Sequence, residues 1–173
     1  GRWLSDRNAM EYTVGAYEEI TPGIFHKLTG VLTSKRVQIL SAAIHTVADN
    51  LVLDRRYVSD LDFTGEPPPH RIGDVAVALV ATLQDKSGKQ PIFSKVWKPG
   101  TVAPVPEEAR LLPQVHVDNS SSDRFTIIDV FAHDRLGLLY TITRTIFELG
   151  LSVHVAKIGT HLDQVVDVFY VTD

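Results

Sequence analysis

Asp134-Arg135-Leu136-Gly137-Leu138-Leu139-Tyr140 is the stretch that decides how this chain is read. An apolar run, Phe125 to Phe131, precedes it and reads as a strand. Leu138 to Leu149 follows, with apolar residues at helical spacing. The seven residues are therefore a strand-to-helix turn. Gly137 lets the backbone approach the helix start closely. A helix start leaves several N–H groups without partners, with partial positive charge behind them. Such a corner suits the carboxylate of a small molecule. Many turns of this kind bind nothing, so the motif alone decides little.

The chain contains the turn twice. Thr21-Pro22-Gly23-Ile24-Phe25 lies on Arg135-Leu136-Gly137-Leu138-Leu139, with the glycines 114 positions apart (137 − 23). At that offset Val14 meets Ile128, Tyr17 meets Phe131, Leu28 meets Ile142, Leu32 meets Ile146, and Ile39 meets Val153. One residue slips in the next turn, to an offset of 113 (167 − 54). Asp54 to Asp60 then lies on Asp167 to Asp173. One module is present in two copies, and an internal repeat of this kind sets the architecture.

Composition narrows the classes. A chain of 173 residues that is 44% apolar can bury a core and is not disordered. A net charge of −4 with both signs mixed argues against nucleic-acid or membrane partners. There are no cysteines, hence no disulfides and no thiolate chemistry. That fits a reducing, cytoplasmic setting. No apolar run approaches the roughly 20 residues that span a bilayer. Gly1-Arg2-Trp3 has no signal-peptide pattern and reads as an arbitrary start.

In order, residues 1 to 11 read as a polar lead-in and Tyr12 to Tyr17 as a short strand. Thr21 is the candidate N-cap of a first helix and Pro22 its first helical residue. Ile24, Phe25, Leu28, Val31 and Leu32 form its buried stripe. Val37 to Thr46 and Leu51 to Val58 are strands joined by a turn at Asp49-Asn50. Gly65 to Pro69 breaks the pattern, and Ile72, Val75, Ala76, Leu79, Val80 and Leu83 mark a second helix. The prolines between Pro91 and Pro113 indicate a surface connector. Gln114 to Asp118 is expected to be a fourth strand completing the first module. In the second copy, Leu151 to Gly159 and Val165 to Val171 are strands, with Gly150 as the helix C′ residue. A matching second helix and fourth strand would take roughly 20 more residues. The expected fold is α+β: two ferredoxin-like βαββαβ modules with antiparallel sheets and helices on one face. The first covers residues 12–118, with a connector at about 87–113. The second covers 124–173 and is truncated after βαββ.

At three places the chain resembles a known family. The turn Asp134 to Tyr140, then Ala156-Lys157-Ile158-Gly159-Thr160, then Asp167-Val168-Phe169-Tyr170-Val171-Thr172-Asp173 are similar to an ACT domain. More narrowly, they resemble the last ACT domain of the bifunctional PII-protein uridylyltransferase, or uridylyl-removing, family. The likeness covers nearly all of residues 125 to 173 and follows more loosely over 12 to 60. The family usually has Pro where Leu136 stands, and the first copy keeps it as Pro22. Thr21 and Ile20 replace the Arg and Asp found at 135 and 134. The resemblance implies a tandem ACT tail that senses glutamine for the catalytic domains of a parent chain. It also implies that the nucleotidyltransferase and phosphohydrolase domains lie elsewhere, which makes this region non-catalytic.

The expected ligand, an amino acid, lies between the modules. It is held by N–H groups of the turn 133 to 138 and by the facing strand edge, 152 to 158. The candidate residues are His133, Asp134, Arg135, Leu136, Gly137, Leu138, His154 and Ala156, with Ile20, Thr21, Pro22, Gly23 and Ile24 in the first copy. Each also has a plainer role. His133-Asp134 is a literal HD pair, but no further ligands stand at metal-site spacing. Asp134 can simply cap the helix. Arg135 pairs with a carboxylate or is a solvated loop cation. Lys157 snorkels or faces the partner module. Asp54 and Asp167 recur on the third strand and are expected on its solvent face or hydrogen-bonded to a neighbouring strand. No cofactor or metal is expected. The rival function is ligand-free assembly, a homodimer paired through sheet edges. An RNA-recognition module would need a basic, glycine-containing third strand, and Val165 to Val171 is acidic instead.

Overall fold

The computed structural model describes residues 1–17, 23–46, 51–87, 89–93, 112–161 and 164–173. Eight strands and three helices follow one another in the order β1 (Arg2–Leu4), β2 (Ala9–Tyr17), α1 (Ile24–Ser34), β3 (Val37–Thr46), β4 (Leu51–Asp60), α2 (Pro69–Gln84), β5 (Gln114–Asp118), β6 (Thr126–His133), α3 (Leu138–Glu148), β7 (Ser152–His161) and β8 (Gln164–Thr172). All strand pairs are antiparallel, and together they make one sheet of order β1-β2-β4-β3-β7-β8-β6-β5. The α+β expectation and the pair of ferredoxin-like modules hold.

The repeat is visible in the register. Ile44 pairs with Asp54 in the first half, and Ile158 with Asp167 in the second. A β-bulge interrupts β3 between Ile39 and Ser41, and one interrupts β7 between Val153 and Val155. These are the same position at the offset of 114, so Leu40 and His154 are the two extra residues. The halves join where β3 meets β7, through Ser41↔Lys157, Ala42↔Ala156 and Ala43↔Val155. Ala42 and Ala156 are themselves equivalent, so a pseudo-twofold axis passes between them. Both alanines are buried, in one cluster with Phe25 and Phe169.

The first core gathers Met10, Tyr12, Leu28, Leu32, Val58, Val75 and Leu79. The second gathers Phe25, Val130, Ile146, Ala156, Phe169 and Val171. Phe25 comes from the first module, so the second core crosses the seam. The helix α1 packs against both α2 and α3. Fully burying side chains of this size contributes about 1.5–3 kcal/mol each, so the seam is built as a core and not as a loose contact. Val80, expected on the buried stripe of α2, is 52% exposed; Val75 and Leu79 are the buried pair.

Three sequence expectations change. Residues 1 to 11 are not a lead-in: β1 and the start of β2 form a hairpin around Asn8, which adopts φ 48, and Ala9 and Met10 are buried. The segment Gln114 to Asp118 is a strand, but it pairs with β6 and not with the first module. The loop after it is short and held by Asp118, whose Oδ1 accepts from the N–H groups of Ser120 (2.7 Å) and Ser121 (3.0 Å). A tight hairpin wins over a long return across the sheet. The edge strand of each half is therefore supplied ahead of its module, β1 before β2 and β5 before β6. The first helix also begins later than expected, at Ile24, while α3 begins at Leu138 as expected. Gly23 and Gly137 are the N-caps, both left-handed, and neither helix has a side-chain cap. Asp134 does not cap α3, and Thr21 lies outside the described residues.

The second half has a four-stranded sheet but no counterpart of α2 within these residues. An open groove of about 820 Å³ lies over β5 and β6 beside α3, lined mainly by Val115, Val117, Ile128, Ile142, Ile146 and Leu149.

Candidate functional site

The glycine corners fall at opposite ends of the seam, because the halves are related by the pseudo-twofold. Each faces the other module. Gly137 adopts φ 82 and Gly23 φ 74, a conformation that L side chains rarely tolerate. In both turns the glycine carbonyl accepts the first helical bond, from Thr141 N–H at 3.0 Å and from Lys27 N–H at 3.2 Å. The N–H of Leu138 is used by Arg135 O at 3.0 Å. The next two, of Leu139 and Tyr140, find no acceptor among the described residues, as expected of the first turn of a helix.

Two clefts result. The Gly137 cleft, about 330 Å³, is lined by Asp134 to Leu139 together with Ile158 and Asp167; its far wall is Thr33, Arg36, Val37, Gln38 and Ile39 of the first module. The Gly23 cleft, about 150 Å³, is lined by Gly23 to His26 with Ile44 and Asp54; its far wall is Phe147 and Gly150 to His154 of the second. The linings correspond at offsets of 114 and 113. The larger cleft is within the range typical of small-molecule sites, about 300–1,000 Å³, and the smaller is below it. The still larger groove over β5 and β6 is mostly apolar, with His133, Arg135, Thr126, Thr141 and Thr145 also in its lining.

The predicted residues are thus divided. Asp134, Arg135, Leu136, Gly137 and Leu138 line one cleft. His154, Gly23 and Ile24 line the other. The far wall facing the turn 134–138 is therefore drawn from 33–39; of the expected edge 152–158, Ile158 alone lines this cleft, and 152–154 line the other. Ala156 is fully buried at the centre of the seam and lines neither cleft. His133 lies at the end of β6 opposite Gln164 and lines the flank of the apolar groove. Ile20, Thr21 and Pro22 lie outside the described residues. Gly137 also accommodates Phe93: a Cβ there would stand 2.8 Å from that ring, so its bareness serves packing as well as the cleft. Lys157 places its Nζ 5.4 Å from the centre of the Tyr170 ring. Among the described residues no group of three or more His, Asp or Glu is placed to hold a metal ion.

The two aspartates, expected on the solvent face or hydrogen-bonded to a neighbouring strand, are both buried, and Asp167 accepts a long bond from the neighbouring strand β7. Asp54 is 1% exposed and Asp167 fully buried. Their surroundings differ by one residue. In the first module Arg56 donates from Nε to Asp54 Oδ1 (2.8 Å) and from Nη2 to Asp54 Oδ2 (2.9 Å). It also donates to Thr29 Oγ1 and to Phe25 O, each at 2.8 Å, and stacks on the Phe25 ring at 4.4 Å. In the second module Phe169 replaces Arg56. Asp167 Oδ1 accepts only a long bond, 3.4 Å, from Gly159 N–H, and Oδ2 has no hydrogen-bond partner among the described residues. Burial pushes the Asp167 carboxyl up to about 7; the Gly159 N–H opposes this and neighbouring Asp134 adds to it. At the Gly23 cleft, His26 stacks on Phe147 at 4.8 Å. Burial lowers its pKa to about 4, with help from Lys27 and Arg144.

Sequence reasoning missed Asp167 as a buried acid, and Arg36 and Gln38 as the far wall. The repeat held the first signal, since aligning the copies sets Arg56 against Phe169 and leaves one aspartate without its cation.

No family model matches the chain, and no solved structure matches it. Curated relatives do. The chain is 32% identical to the bifunctional uridylyltransferase/uridylyl-removing enzyme of Gluconobacter oxydans over 98% of its length, which is 18% of that protein. It is 33% identical to the enzyme of that name from Novosphingobium aromaticivorans, over 99% of the chain and 18% of the relative. With the one from Phenylobacterium zucineum it shares 31% over its whole length, again 18% of the relative. Over nearly all of its residues the chain is thus related to one region, less than a fifth, of the bifunctional uridylyltransferase/uridylyl-removing enzymes.

Proposed function

We propose that the chain is a regulatory, non-catalytic tandem ACT region that binds a free amino acid, glutamine foremost, in the Gly137 cleft. One observation carries the reading: a helix start, a positive-φ glycine and a buried carboxylate from one module converge on a cleft whose far wall belongs to the other module. A ligand there touches both halves and favours one arrangement of the seam. By linkage it biases whatever is attached toward the state compatible with that arrangement. In a longer chain like its relatives, the attached parts are the catalytic domains. Glutamine as ligand rests on the family resemblance; the cleft itself supports an amino acid through its two kinds of charge, Arg36 and Arg135 for a carboxylate, Asp134 and Asp167 for an ammonium. Isothermal titration with glutamine and a panel of amino acids tests this. Saturable binding with glutamine strongest is expected; glutamine binding no better than alanine removes the specific assignment.

A second reading, assembly without ligand, is favoured by the apolar groove and by the edge strand β5, where Val115 and Val117 are exposed. Sedimentation with and without amino acids separates the two. A dimer unaffected by amino acids, with no binding heat, supports assembly.

A further inference from the structure

We propose that Asp167 is the counter-charge for the primary ammonium group of the ligand, and that each chain binds one such ligand, at the Gly137 cleft only. This rests on the amino-acid reading of that cleft and specifies which end of the ligand is held where. The argument comes from comparing the two halves, which are two solutions to one problem.

A carboxylate removed from water needs a cation or several strong donors beside it. At Asp54 the chain supplies both from within, with two charge-assisted bonds from Arg56. The site is closed: its acid is neutralised, and the guanidinium is itself held by Thr29 and Phe25. At Asp167 the fold places a carboxylate at the same position, opposite Ile158 as Asp54 is opposite Ile44. The residue two positions on is now Phe169, fully buried and without charge. Thr143, equivalent to Thr29, turns its hydroxyl to the carbonyls of Leu139 (2.9 Å) and Tyr140 (3.1 Å). Among the described residues of the second half, none takes over the role of Arg56. Asp167, whose buried Oδ2 has no hydrogen-bond partner among the described residues, is one of the residues lining the larger cleft.

The cation that fits must come from the cleft and must be small. An alkylammonium carries three donors and one charge. Asp134 in the same wall adds a second negative group. Arg36 is engaged by Asp62 at 2.6 Å and does not approach Asp167 as an ion partner; Arg135 makes no ion pair among the described residues. The Gly23 cleft has no second acid on its wall besides the neutralised Asp54, and it is less than half as large. Hence one ligand per chain.

The test is calorimetry on the 173-residue chain with two probes, glutamine and its des-amino analogue glutaric acid monoamide, for wild type and Asp167→Asn. Wild type is expected to bind glutamine at one site per chain and the des-amino probe roughly 10- to 100-fold more weakly. The variant should lose glutamine by a similar factor and no longer distinguish the probes. Because the Asp167 carboxyl titrates near 7 without ligand, glutamine binding to wild type at pH 6.5 should also release part of a proton. That release is read from the dependence of the heat on the buffer's ionisation enthalpy, and it is absent in the variant. Circular dichroism and a cooperative melt establish that the variant folds. If Asp167→Asn, folded, binds glutamine as tightly as wild type, or if two sites per chain are found, this inference is overturned while the amino-acid reading stands. If wild type binds no member of the amino-acid panel, both fall together.

Discussion

Replacing Asp167 by Asn should make the protein more stable above neutral pH and change it little in acid. The carboxyl titrates near 7 in the folded chain and near 3.8 when exposed by unfolding. A folded-state value raised above the unfolded one means the native state holds the proton more tightly. Stability therefore falls as pH rises through the window between those values, and levels off above about 7. Over the whole window the cost of ionising this group in place is on the order of 4 kcal/mol. Between pH 5 and pH 8 the wild type should lose about 2–3 kcal/mol relative to the variant, whose amide does not titrate. The groups facing Asp167 are Asp134 and the Gly159 N–H, with Arg36 and Arg135 elsewhere in the cleft. They shift the midpoint, but the slope keeps its sign. Urea unfolding of both proteins at several pH values measures the difference. Parallel stability curves would refute the reasoning, because they would show that the carboxylate is already compensated in the folded chain.

Other perturbations follow from the same packing. Arg56→Met leaves Asp54 buried without its cation and should cost roughly 3–5 kcal/mol by urea unfolding. Gly137→Ala combines a positive φ with a 2.8 Å approach to Phe93, whereas Gly150→Ala has φ 77 but open space. The first should lower the melting temperature by more than the second, whose cost is about 1–2 kcal/mol. The depressed pKa of His26 means that stability contributed by its neutral form is present above about 6.5 and lost as pH falls toward 4. His26→Phe should flatten that part of the acid unfolding profile.

Much of the fold was legible because duplication doubles the signal. Leu28 with Ile142 and Ile39 with Val153 each testify for the other, and the slip from 114 to 113 corresponds to one residue fewer between Thr160 and Val165 than between the equivalent pair Thr46 and Val52. What escaped was non-local or too short to show periodicity. The three-residue strand β1 has no room for alternation, and the partner of β5 depends on a loop held by Asp118 and not on anything in the strand itself. The site was legible as a corner but not as a cleft. The residues facing Gly137 are set by the antiparallel meeting of β3 and β7, which no local pattern encodes. The same crossing explains why the strand expected to face the turn 134–138 lies against the Gly23 corner instead. Burial of Asp167 was hidden because a lone acid in an apolar strand ordinarily marks a solvent face; only the neighbouring Arg-to-Phe exchange between copies distinguishes it.

The most direct test of the seam as a sensor is a titration of the ¹⁵N-labelled chain with glutamine, followed by NMR. Shift changes concentrated at residues 33–39, 134–139 and around Asp167 are expected. Changes confined to 23–26 and 150–154, or to the apolar face of β5 and β6, would contradict the account.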